Sequence, residues 1–381
     1  MRFRFESTEV YEQCVELRAL VRSFLNEERV AGRFSPRPNS WTHSDSAFTR
    51  RCGERGFIGI TFPREYGGRD GSALERYVVC EEMLAAGAPA GMHWIADRQS
   101  GPQIVRYGSE TVKRKILPGI AAGRCCIGIG MSEPGAGSDL AAVRTKGIRT
   151  EGGWRVTGSK LWTSNADRAQ YVIALIRTGE PTAGKHSGLT QVIVDMQSDG
   201  LTVSPIEDIT GGRDFNEIAL DGVFVPDDHV LASPGEGWML VTNELAHERS
   251  GPERFMSTFP LFGALVERLG STPDPIAEAA IGRLVSHFVS LRRMSNAIAG
   301  MLANGDTPNV EAALVKDLGT AFEREVVEVA RLIGGGAPEP DSPDLYREIL
   351  AEALLAAPSF TLRGGTREIL RGIVSKQLVA V

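Results

Sequence analysis

The chain has 381 residues, 42% of them hydrophobic and 24% charged, a balance ordinary for a soluble globular protein with room for two or three structural units. Its formal net charge of −6 argues against nucleic acid as a general partner, while leaving space for a local basic patch against a phosphate. No apolar run approaches the ~20 residues that a membrane span needs. Met1-Arg2-Phe3-Arg4-Phe5-Glu6 lacks the apolar stretch of a signal peptide, so the expected location is cytoplasmic.

Residues 1–122 read as mostly helical. Val10 to Leu25 places Cys14, Leu17, Leu20, Val21 and Leu25 at helical spacing, and Leu74 to Ala86 repeats the pattern after the turn Gly67-Gly68. From 123 to 232 the texture is that of strands. Tyr171–Ile176 and Gln191–Met196 are runs rich in β-branched residues, and Trp154-Arg155-Val156-Thr157 alternates as a half-exposed strand does. Gly179 to Gly188 reads as a mobile loop between two of them, and Asn216 to Pro226 as a strand pair. Residues 233–381 return to long helices near 238–269, 276–303, 309–333, 345–357 and 364–379, with Gly334-Gly335-Gly336 stopping the third.

The five cysteines are an odd number without export signals and read as reduced thiols. Adjacent Cys125 and Cys126 suit two small buried residues better than a redox pair. The six histidines show no metal-ligand spacing, so no metal site is expected.

Two stretches carry chemistry. Glu133-Pro134-Gly135-Ala136-Gly137-Ser138-Asp139 is a glycine-rich turn with an acidic start, and Lys160-Leu161-Trp162-Thr163-Ser164-Asn165 sets an aromatic ring among small polar groups. Main-chain N–H groups on one side and a Trp face on the other suit an isoalloxazine ring. In this order and spacing the pair resembles the acyl-CoA dehydrogenase family of flavoproteins. Phe62-Pro63-Arg64-Glu65-Tyr66-Gly67-Gly68 resembles that family's early Pro-x-x-Tyr-Gly-Gly turn, and the resemblance covers essentially the whole chain.

The resemblance implies an α+β fold: an N-terminal helical domain, a middle β-barrel-like domain and a C-terminal four-helix bundle. It implies FAD as cofactor, with Ile129, Met131, Ser132 and Ser138 on the glycine-rich side and Trp162, Thr163 and Ser164 on the other. Main-chain groups of Ile129 and Met131 would contact the ring edge, Ser132 the pyrimidine end and Ser164 the N5 region. Ser138 would also meet the CoA arm. Gly365 resembles the substrate-adjacent glycine, with Thr366 and Glu368 near the flavin phosphates.

Desaturating an acyl-CoA thioester at Cα–Cβ takes a carboxylate base for the α proton and a flavin for the β hydride. Many relatives carry the base in a Tyr-Glu-Gly-Thr segment. Here that segment reads Arg363-Gly364-Gly365-Thr366, with Gly364 at the glutamate position. A minority of the family carries the base just before an arginine on the first helix of the C-terminal bundle. Ala246-His247-Glu248-Arg249 occupies that place, so Glu248 is the expected base, Arg249 its helper in the substrate pocket and His247 a neighbour.

Two departures matter. The Arg-x-x-Phe-Gly segment that binds a neighbouring subunit's FAD in homotetrameric members is replaced by Leu269-Gly270-Ser271-Thr272-Pro273-Asp274-Pro275-Ile276-Ala277. Arg331-Leu332-Ile333-Gly334-Gly335 keeps only part of a later Gln-x-x-Gly-Gly pattern. The chain thus resembles the base-carrying subunit of actinobacterial α2β2 acyl-CoA dehydrogenases acting on steroid side chains or other bulky acyl groups. A homo- or heterotetramer, passing electrons to an electron-transfer flavoprotein or similar acceptor, is the implied assembly. Asp97-Arg98 reads as an exposed helix pair, with substrate recognition by Arg98 as the sharper option. The rival readings are a non-catalytic partner subunit, or a member with altered chemistry such as a desulfinase or flavin monooxygenase.

Overall fold

The helical spacing around Cys14 produces α1 (Glu12–Val30), whose buried stripe is Cys14, Leu17, Val21, Phe24 and Leu25, with Leu20 turned outward. The structure is a computed structural model and describes residues 3, 5, 12–180 and 184–379. Val10, most of Met1–Glu6 and residues 181–183 of the loop read as mobile lie outside the described residues, as does the side chain of His247. The helices that follow are α2 (Ser46–Glu54), α3 (Ala73–Ala85), α4 (Gly91–Ile95), α5 (Gly101–Tyr107) and α6 (Glu110–Ala121). A capping box closes the start of α3, where Ser72 and Glu75 satisfy each other's backbone N–H groups.

The strands are β1 (Ile127–Gly130), β2 (Lys146–Thr150), β3 (Gly153–Ser164), β4 (Tyr171–Arg177), β5 (Leu189–Asp195), β6 (Leu201–Ile206), β7 (Phe215–Pro226) and β8 (Val230–Leu231). They form one sheet in the order β6-β7-β3-β2-β4-β5-β8, with β1 parallel to β4. Strands β4 and β5 are buried on both faces, which explains their unbroken apolar runs. By contrast, β3 and β7 alternate, and their inward residues Trp154, Val156, Ile218, Leu220 and Val223 share one core with Val172, Val192 and Val194.

The expected strand pair at 216–226 is one continuous strand. Asp221-Gly222 looks like a hairpin turn, but both residues sit opposite Thr157 alone, so the pair makes a bulge in the β3–β7 ladder. Gly222 supplies the left-handed backbone there, with φ +64°, and its N–H donates to the Thr157 hydroxyl.

The last part contains α7 (Gly237–Ser250), α8 (Phe259–Leu269), α9 (Pro275–Ala303), α10 (Asn309–Ile333), α11 (Leu345–Phe360) and α12 (Arg367–Val379). The single helix expected over 238–269 is two, because Gly251-Pro252 removes an N–H donor and ends α7 in a short 3-10 turn, Pro252–Arg254. Helix α10 is the hub, packed on α8, α9, α11 and α12.

The chain folds as two compact units, one of Met1–Trp41, Ser72–Pro89 and Ala246–Val381, the other of Thr42–Gly71 and Ala90–Leu245. In the first, Glu81 and Glu82 on α3 are buried and bind Arg18 and Arg22 of α1 and Arg292 of α9. The second contains the whole sheet. No described helix is long and apolar enough to cross a membrane.

Candidate functional site

The sheet-bearing unit holds the two chemistry-bearing stretches side by side. Strand β1 ends at Gly130 and the chain runs through Met131 and Ser132 into the glycine-rich turn, where Glu133 and Ala136 exchange main-chain hydrogen bonds at 3.0 Å. The Leu161 N–H donates to the Ser132 carbonyl at 2.9 Å, which joins this segment to the end of β3. There the β3–β7 register slips between Lys160 and Thr163. Trp162 takes φ +63°, a left-handed backbone that costs a bulky residue about 1–2 kcal/mol.

The result is an aromatic face left uncovered. Trp162 is 55% exposed, with Phe215 edge-on at 6.0 Å. Thr163 points the other way and is fully buried, its hydroxyl among the buried groups without a hydrogen-bond partner. Ser132 and Ser164 are half-buried, Ile129 and Met131 likewise, and Ser138 is exposed. Gly135 and Gly137 face open space. An uncovered indole, flanking hydroxyls and an open glycine turn fit a planar, polar-edged ring such as a flavin.

The helical unit holds a cluster of charge. Glu248 lies near the end of α7, its Oε1 accepting from Arg254 Nη2 at 3.0 Å and its main-chain carbonyl from Arg254 Nε at 2.9 Å. Buried Arg249 donates from Nε to the Gly364 carbonyl at 3.1 Å. Lys316 of α10, also buried, donates to the Gly365 carbonyl at 2.7 Å. Burial, then the cations Arg254, Arg363 and Arg249, push Lys316 down to about 7 against the pull of Glu248.

Gly364 explains why the carboxylate fits. Its φ is +66°, and a Cβ placed on it would lie 2.6 Å from Glu248 Oε1 and 3.0 Å from Lys316 Cε. Any side chain at 364 would start where the Glu248 carboxylate already is. Behind this, Arg363 pairs with buried Glu323 at 3.1 Å and lies 4.6 Å over the Trp41 ring, with Arg254 at 5.5 Å from the same ring.

Glu368, on the first turn of α12, is exposed and held below the usual carboxylate range by main-chain and Thr366 hydrogen bonds. Thr366 caps that turn, its hydroxyl accepting from the Ile369 N–H at 3.5 Å. The Glu248, Arg249 and Gly365 set is thus brought together, as are Ile129, Met131, Ser132, Trp162 and Ser164, while Thr163 turns into the interior and Ser138 and Glu368 stand at the surface of their own units.

Asp97-Arg98 is not the exposed pair expected. Both are buried in a π-helical stretch, Ala96–Ser100, with Asp97 accepting from the Gly59 N–H at 2.6 Å and Arg98 lying 5.2 Å over Trp94. Burial pushes the Cys125 and Cys126 thiols up to about 12, which suits packing and not redox chemistry. Among the described residues no group of three or more His, Cys, Asp or Glu could hold a metal. Sequence reasoning passed over Lys316, Arg254 and Glu323, and gave Lys160 no role of its own within its stretch. The one available signal was Lys316, Thr320 and Glu323 recurring on the otherwise apolar face of α10.

The family model for the acyl-CoA dehydrogenase N-terminal domain matches residues 12–124, and that for the middle domain residues 128–223. Acyl-CoA dehydrogenase FadE34 of Mycobacterium tuberculosis is 31% identical over 333 residues, a match that takes 86% of this chain but 45% of FadE34. The match therefore spans less than half the length of that relative. FadE29 of the same organism is 31% identical over 338 residues, 86% of each chain. The solved structure of the Tcur3481-Tcur3483 steroid ACAD is similar with a TM-score of 0.82 at 27% identity, covering 100% of this chain and 99% of that one. The chain belongs to the acyl-CoA dehydrogenase family, whose members are FAD-dependent flavoenzymes.

Proposed function

We propose that this chain removes two hydrogens from Cα–Cβ of an acyl-CoA thioester, with Glu248 as the base for the α proton. The observation that carries the reading is the exchange of place between Gly364 and Glu248. The segment that bears the base in many relatives has no side chain, and the Glu248 carboxylate fills the volume where one would begin.

Arg254 holds Oε1, which leaves Oε2 to take the proton. Arg249 and Lys316 grip the main chain of Gly364 and Gly365 and hold it against the Glu248 carboxylate. Bound FAD would accept the β hydrogen as hydride at N5. Ile129, Met131, Ser132, Trp162 and Ser164 would line its ring, and Ser138, Thr366 and Glu368 are assigned to its outer parts and the CoA arm. Glu248→Gln should keep FAD and acyl-CoA binding yet slow anaerobic flavin reduction by at least ~10²-fold, the usual scale for a lost general base. Reduction at the wild-type rate would sink the assignment.

The similarity to a steroid ACAD named for two components supports a bulky acyl group and a second, complementary chain. The loop between α8 and α9 lacks the adenosine-clamping motif, and the nearby cations are committed elsewhere: Arg283 to Glu325 at 2.8 Å and Arg292 to Glu81 at 2.6 Å. Expressed alone, the chain should be poor in flavin. Co-expressed with its partner it should reach about one FAD per heterodimer, because binding only to the native interface also stabilises the fold. A fully flavinated, active homotetramer would overturn the two-chain reading.

A further inference from the structure

One buried ion pair joins the two stretches assigned to the flavin, and the dehydrogenation chemistry makes no use of it. Lys160 is 0% exposed, and its Nζ donates to Glu133 Oε1 at 2.7 Å and to the Met131 carbonyl at 3.3 Å. Glu133 also accepts from the main-chain N–H groups of Arg144 at 2.6 Å and Thr145 at 2.9 Å. A single carboxylate therefore collects three segments: the end of β1, the approach to β2 and the end of β3.

Such a pair is an expensive way to hold a fold, since both ions lose water, and apolar residues of similar size usually serve stability as well. The cost is visible in Lys160, which burial drives down to about 8 against the opposing charge of Glu133. Burial pushes Glu133 upward, but Lys160, Thr145 and Arg144 outweigh it and keep the carboxyl below its usual range.

What the pair adds is direction. Lys160 is the last residue in register before the bulge, two positions before the left-handed Trp162. Strained backbone of this kind persists only where its surroundings over-determine it. Here the Lys160 side chain and the Leu161 N–H both bind the Met131–Ser132 main chain, one on each side of the bulge's start.

We propose that Glu133 and Lys160 form a positioning clamp that holds Met131–Ser132 and the exposed Trp162 in the arrangement FAD binds. The proposal rests on the assignment of those two stretches to the flavin. The Lys160 and Glu133 side chains are only 1% and 8% exposed, so the clamp acts through the main chain it binds.

The test is titration with FAD of the flavin-stripped protein co-expressed with its complementary chain, followed by flavin fluorescence and the visible spectrum, beside thermal unfolding without FAD. Glu133→Leu with Lys160→Met removes both charges and keeps the volume. It should melt near the wild-type temperature yet bind FAD at least ~10-fold more weakly, with a blurred flavin band. Lys160→Arg should restore affinity to within roughly 3-fold, because it keeps the pair. Glu133→Asp, which keeps the charge but shortens the reach, should also weaken FAD binding, and it covers the case in which the double variant fails to fold. A folded double variant, or Glu133→Asp, with wild-type FAD affinity and spectrum would overturn the clamp. Trp162→Ala in the same titration isolates the underlying assignment: unchanged affinity there removes the flavin wall itself, whatever the clamp variants do.

Discussion

Each unit of the molecule buries one lysine completely, and the two lysines live in opposite surroundings. In the sheet unit Lys160 meets a carboxylate at 2.7 Å, and burial lowers it only to about 8. In the helical unit Lys316 meets a carbonyl at 2.7 Å with Arg254, Arg363 and Arg249 around it, and falls to about 7. Desolvation is the leading cause in both cases, so the neighbours decide the difference. Lys160 is half of a closed ion pair that fixes a backbone. Lys316 is a cation held among cations, tolerated because Glu248 and a main-chain oxygen face it. The comparison separates a group that stabilises its surroundings from one that its surroundings must restrain.

The largest expected effect breaks the first arrangement. Lys160→Met strands the Glu133 carboxylate and should cost about 3–5 kcal/mol of stability, whereas Lys316→Met relieves crowding among cations and should stay within about 1 kcal/mol. Denaturant unfolding of the two variants side by side measures this, and equal losses would erase the distinction.

Next in size is Gly364→Ala. Its new methyl would need the space of Glu248 Oε1 at a backbone φ of +66°. Flavin reduction should slow by at least ~10-fold while Lys160 and FAD retention are untouched, the rate loss expected when a base leaves hydrogen-bond reach. Stopped-flow reduction with an acyl-CoA reads it, and a full-rate variant would show that the carboxylate is not held there for chemistry.

The last expected effect is a pH dependence that orders the two lysines. Both folded values lie below the ordinary lysine value of 10.5, so between each folded value and 10.5 the unfolded chain binds more protons. Stability therefore rises with pH in that window, and the penalty of charging the lysine is fully present below it. Relative to Lys316→Met, wild type should begin to gain near pH 7. Relative to a variant lacking the Lys160 charge, the gain should begin about one unit higher. Melting temperatures at half-unit steps from pH 6 to 10 would show the order, and a reversed order would break the comparison.

Much of the fold was legible because it is written locally. The spacing of Cys14, Leu17 and Val21, the unbroken runs of β4 and β5 and the alternation at Trp154–Thr157 each need only neighbouring residues to be read. The misreadings share a cause. Asp221-Gly222 can start a hairpin or make a bulge, and only the partner strand β3 selects the bulge. Gly251-Pro252 broke a helix whose apolar periodicity ran through it. Asp97 and Arg98 seemed exposed because charge suggests solvent, and they are buried where Gly59 and Trp94 receive them.

The sequence by itself determined the order of helices, sheet and helices, the two flavin-type stretches, and the pairing of a glycine at 364 with a glutamate at 248. The first follows from residue type and spacing along the chain, the other two from the resemblance that those residues carry to the family. Only tertiary structure decided that Gly364 and Glu248 compete for one volume. It also decided that Lys160 closes on Glu133 and that Lys316 sits unclosed among arginines. The physical reason is that the free energy of a buried charge is set by the atoms around it, and those atoms come from segments far away in the chain.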